Sequence, residues 1–173
     1  MTVRATSTCR WAAALSALMT VLAVPAGAQT DAGPYGFSVQ VSLSPKALKK
    51  LTDISESVTV RSFYYGTMER KPTRADIKRA RAEGREPDQI EITGDTATLP
   101  AAGGTAAMAG RGVPGADVAA IGKNPVKVNI NVFSARKAAP DNLLDCDLFD
   151  DAVAVARAKP IAITCRLIGE APE

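Results

Sequence analysis

The segment VKVNINVFS alternates without a break: Val126, Val128, Ile130 and Val132 fall on one side, Lys127, Asn129 and Asn131 on the other. A side-chain period of two belongs to extended chain, so this stretch reads as a strand with one dry face and one wet face. FSVQVSL repeats the pattern, with Phe37, Val39, Val41 and Leu43 opposing Ser38, Gln40 and Ser42. SVTVRSFYYGTM, over about 57–66, adds β-branched and aromatic residues that suit a pleated surface. QIEIT and TATLP flank Gly94-Asp95, which predicts a hairpin. In NLLDCDLF and PIAITCRLI each cysteine shares parity with apolar neighbours, so both sulfurs face the apolar side if both runs are strands.

Helical signals are fewer. Ser44 and Pro45 open a short helix in SPKALKKLT, with Leu48 and Leu51 on one side. Thr73 with Asp76 forms a capping-box pattern, and Gly84 supplies a stop. AAGGTAAMAGRGVPGADVAAIG is weakly patterned and reads mostly as loop, with at most one short edge strand; DDAVAVARAK leans toward strand over a helical turn. The sum is an all-β fold: an antiparallel β-sandwich, immunoglobulin-like or transthyretin-like, with one or two short peripheral helices.

The N-terminus reads as a leader. Arg4 and Arg10 precede the apolar run WAAALSALMTVLAV, and Ala26-Gly27-Ala28 follows, the layout of a cleaved Sec-type signal peptide over 1–28. A flexible tail over 29–36 and a single domain over 37–173 would follow. The expected location is periplasmic or secreted, with no transmembrane segment in the mature chain. Two of the 21 basic residues and none of the 18 acidic ones lie in the leader, leaving a near-neutral 19 against 18. That balance argues for neither nucleic acid nor a polyanion as a partner.

Cys9 goes with the leader, so Cys146 and Cys165 remain as an even pair. In an oxidising compartment they predict a disulfide. Their spacing is far from Cys-x-x-Cys, which argues against a thioredoxin-like role. The chain has no histidine, so Ser-His, Cys-His and His-metal chemistries are excluded. GRGVPG matches G-x-G-x-x-G at Gly110, Gly112 and Gly115, but a loop is expected before it where a nucleotide site needs a strand. Ser134-Ala135-Arg136-Lys137 matches S-x-x-K, but it follows a strand and has no K-T-G partner. Asp145 and Asp147 are weak calcium candidates in an aspartate-rich run that fails the EF-hand spacing.

The most basic segment holds Arg70, Lys71, Arg74, Lys78, Arg79, Arg81 and Arg85. It reads either as an anion or partner contact or as a solvated loop helix. Tyr64 and Tyr65 form a candidate stacking platform, although core packing is the simpler role and the mature chain has no tryptophan to strengthen a sugar site. The functional expectation is an exported, non-catalytic module, not an enzyme and without a cofactor, that binds a protein or a cell-envelope component. The alternative is a small-ligand or calcium-binding periplasmic protein. A small carboxylate-based hydrolase ranks last.

Overall fold

This computed structural model describes Met1 and residues 33–171. Apart from Met1, the leader over 1–28 and the start of the expected tail lie outside those residues. Eight strands form two four-stranded sheets. The first contains β1 (Phe37–Leu43), β4 (Gly104–Met108), β6 (Leu144–Cys146) and β8 (Ile161–Leu167), in the order β4-β1-β8-β6. The second contains β2 (Val58–Thr67), β3 (Gln89–Leu99), β5 (Lys127–Ser134) and β7 (Phe149–Ala152), in the order β3-β2-β5-β7. Alternation governs which residues go inside. Val39 and Val41 from the first sheet, and Val58, Val60, Tyr64, Val128 and Ile130 from the second, belong to one continuous core. Phe37 meets Tyr64 edge-on, with ring centroids 6.3 Å apart.

Pairing is antiparallel except between β1 and β8, which run parallel with Val41 opposite Ile163. The antiparallel expectation therefore needs this correction. Parallel neighbours need a crossover connection, and here the intervening chain builds the second sheet before returning. Four helices appear where one or two were expected: α1 (Pro45–Asp53), α2 (Arg74–Glu83), α3 (Gly115–Ile121) and α4 (Val153–Ala158). The first is capped by the Ser44 side chain, which accepts from the Ala47 N–H at 3.1 Å. The third lies in the stretch read as loop; it begins behind Pro114 and buries only Ile121. The fourth follows β7 directly, so DDAVAVARAK is part strand and part helix, with Val153 and Ala156 buried three residues apart.

Gly94-Asp95 marks an irregularity inside one long strand and not the turn of a hairpin. The β2–β3 register shifts between Arg61 and Phe63. The buried Ser62 hydroxyl accepts from the Asp95 N–H at 2.8 Å and donates to the Asp95 carbonyl at 3.3 Å. A Cβ on Gly94 would lie 2.4 Å from the Ser62 carbonyl oxygen, so the close approach requires glycine.

Cys146 and Cys165 are bonded, at an S–S distance of 2.05 Å. They sit directly opposite each other on β6 and β8, neighbours in one sheet. Cys165 is fully buried and Cys146 half-buried. The bond is compatible with an oxidising compartment.

A buried carboxylate fastens the loop that follows β5. Glu56, 2% exposed, accepts from the Ser57 N–H at 2.8 Å and from those of Lys137, Ala138 and Ala139 at 2.9, 2.8 and 3.3 Å. Burial alone would raise its pKa, but the four donors outweigh it and hold the carboxyl below its ordinary value.

Two outcomes follow for stability. Replacing both cysteines by alanine frees a loop of 19 residues' separation; this should cost about 3 kcal/mol, read as a lowered urea midpoint against the oxidised protein. Because the pKa of Glu56 is depressed on folding, its contribution is complete above the ordinary value of 4.5 and lost as pH falls through the lower folded value. Urea unfolding across pH 2–7 should therefore show the gap between wild type and Glu56→Gln closing toward the acid end.

Candidate functional site

The connection from β2 to β3 is a long excursion that carries the basic segment. Its helix, α2, has almost no apolar face, since Ile77 is its one large apolar residue. It is held instead by a charged hub. Asp76, 5% exposed, accepts from Arg70 Nη1 at 2.7 Å and Arg79 Nη2 at 3.1 Å. The Thr73 N–H and hydroxyl donate to the same carboxylate at 2.8 and 2.7 Å. Thr73 in turn accepts from the Asp76 N–H, completing the capping box. The Arg70 guanidinium, then the Thr73 donors, hold the Asp76 carboxyl well below the usual carboxylate range, against the opposing effect of burial. Gly84 ends the helix in the left-handed region, and Arg85 fastens the exit through Glu83 at 2.6 Å and the Gln89 carbonyl.

This anchoring sorts the seven basic residues into two sets. Arg70, Arg79 and Arg85 are ion-paired and line a cleft of about 520 Å³ between α2, the outer side of β2 and β3, and α3. Phe63 lies in the same cleft, which Glu83, Glu91 and Asp117 also line. Arg74, Lys78 and Arg81 are exposed, and none has an ion-pair partner among the described residues. At 3.6 residues per turn they fall within about 60° of arc, opposite the buried Asp76 and Ala80. Lys71, just before the helix, is also exposed.

The tyrosine pair divides between the faces of β2. Tyr64 is fully buried; its hydroxyl donates to the Tyr35 carbonyl at 3.1 Å, and burial pushes its pKa up to about 12. Tyr65 faces solvent and donates a short hydrogen bond to Asp150. That bond, with partial burial and the charges of Asp150 and Asp151, also pushes it up to about 12. Lys127 Nζ lies 6.0 Å from the Tyr65 ring centroid.

The remaining motif residues have structural partners. Gly110 has φ of 63°, and a Cβ there would lie 2.4 Å from the Tyr35 carbonyl carbon. Its N–H donates to Asp95 Oδ2 at 2.7 Å. β4, a short edge strand as the sequence allowed, precedes this glycine run and α3 follows, but the next strand, β5, belongs to the other sheet, so no βαβ unit forms. Ser134 is fully buried, donates to Asn142 Oδ1 at 3.3 Å and accepts from the Leu143 N–H at 2.9 Å. Asp147 pairs with Arg166 at 3.5 Å and accepts from the Thr164 N–H at 3.0 Å, while Asp145 is exposed on β6. Among the described residues no group of three or more His, Cys, Asp or Glu is gathered as for a metal ion. Among them, too, no helix is long and apolar enough to cross a membrane.

No family model, curated protein or solved structure matches the chain. Thr73→Ala, which removes half of the capping box, should destabilise α2 by about 1 kcal/mol. Hydrogen exchange should show that loss as faster exchange of the α2 amides, with β2 and β5 unchanged.

Proposed function

We propose that this protein is an exported, non-catalytic binding module of β-sandwich architecture that engages an anionic component of the cell envelope through α2. The observation that carries the reading is the row Arg74, Lys78 and Arg81, three exposed cations without ion pairs among the described residues, on a helix whose opposite side is tied down. Tethering the buried side in advance lowers the ordering cost of binding on the other side. Three cations clear of counter-charges attract an anionic surface across roughly a Debye length, about 8 Å at physiological salt.

Export through a Sec-type leader over 1–28 to the periplasm or beyond is part of the same proposal. The oxidised Cys146–Cys165 pair supports it, since such bonds persist outside reducing compartments. The lack of any histidine in the sequence supports the non-catalytic part, because the commonest general base is missing. An occupant recognised by charge needs no such group.

The test is co-sedimentation of the protein with vesicles containing anionic lipid, in 0.05 and 0.3 M salt. Wild type should be retained at the lower salt and released at the higher. Changing Arg74, Lys78 and Arg81 together to glutamine should abolish retention without altering the urea midpoint. Retention unchanged by the triple substitution would remove α2 from the binding surface.

A further inference from the structure

We propose that the solvent-facing side of β2 and β5 binds an extended acidic polysaccharide. Arg61, Phe63 and Tyr65 project from that side at every second residue, while Ser62 and Tyr64 between them are buried. At about 3.3 Å per residue the three span about 13 Å of strand. Each borders its own depression. Arg61 lines one of about 300 Å³ with Phe133 and Arg136. Phe63 lies in the cleft of about 520 Å³ with Arg70 and Arg79. Tyr65 borders one of about 350 Å³ with Lys127. An aromatic ring therefore recurs in each of these three depressions, and the two outer ones add a cation without an ion pair among the described residues: Arg61 and Arg136 in one, Lys127 in the other.

That recurrence matches a polymer whose repeating unit has an apolar C–H face and an acid group. The ring takes the face, and the cation takes the charge. In the middle cleft Arg70 and Arg79 are already paired with Asp76, and Glu83, Glu91 and Asp117 line the same space, so acid groups are kept to the two outer depressions, where Arg61, Arg136 and Lys127 have no ion-pair partner among the described residues. Hydroxyl groups find partners beside the rings. Asn131 is exposed next to Arg61 across the β2–β5 pair. Asp150 accepts from the Tyr65 hydroxyl and from Asn129 Nδ2, the latter at 3.3 Å, so these side chains are oriented before any ligand arrives. An extended acidic peptide fits less well. Peptides in extended form bind by adding to a sheet edge, whereas β2 and β5 are both interior strands with neighbours on each side.

This site is distinct from the outward row of α2, and the two fail separately. Titration calorimetry of the full chain with uronate oligosaccharides of two to six units should show affinity rising tenfold or more with length. Arg61→Gln and Phe63→Ala should each weaken the hexasaccharide tenfold or more, while Phe63→Tyr and the triple α2 variant bind as wild type. Arg61 is exposed and without an ion pair among the described residues, so its substitution is informative even if Phe63→Ala impairs folding. Three results would overturn the proposal: no hexasaccharide binding by wild type, equal affinity for a neutral hexasaccharide or for poly-glutamate, or an Arg61→Gln variant that binds normally.

Discussion

The parallel pairing of β1 with β8 is the contact on which the rest of the architecture depends. It joins the first strand of the domain to the last, with Val39 opposite Ile161 and Leu43 opposite Cys165. The second sheet is built from chain that lies between them in sequence. Closing so long a loop costs entropy before any hydrogen bond repays it. The closure is accordingly reinforced at its far end. The Ser44 N–H donates to the Cys165 carbonyl at 2.8 Å, the Ser44 hydroxyl donates to Glu170 Oε2 at 2.9 Å, and Cys165 is bonded to Cys146 on the next strand. A cap, a carboxylate and a disulfide thus converge where β1 passes into α1.

Polar groups do as much as apolar ones in fastening the connections. Glu56 gathers the backbone donors of residues 137–139, Ser134 and Asn142 satisfy each other's loop, and Asp76 holds α2. In each case a buried acceptor is matched by donors that would otherwise be stranded. The same economy shapes the candidate binding surfaces. The Asp76 carboxylate that pairs with Arg70 and Arg79 on one side of α2 leaves Arg74, Lys78 and Arg81 without ion-pair partners among the described residues on the other. A bare count of basic residues conceals that division.

Legibility followed the strength of local physics. The long alternating strands, the Ser44 cap, the Thr73–Asp76 capping box and the Gly84 stop were readable because each depends on neighbours within a few residues. Gly94-Asp95 misled because the same dipeptide suits a turn and a strand irregularity; the deciding contact is with Ser62, some thirty residues earlier. The third helix was hidden because Ala and Gly carry little periodicity, and its only buried side chain is Ile121. VAVARA alternates like a strand, yet Val153 and Ala156 bury as a helix does. The candidate surface was half legible: the seven cations stood out, but not which of them point into the cleft, nor that Tyr64 and Tyr65 would part.

By itself, then, the sequence determined that this is a strand-dominated chain, which residues of each long strand are dry, and which chemistries are impossible without histidine. Those properties are local or compositional, so no partner is needed to read them. Tertiary structure alone decided that β1 and β8 run parallel, that the cysteines bridge neighbours within one sheet, and that rings and cations line up along β2. These depend on which distant strands meet and in what register, a choice made by packing the whole core and not by any one segment.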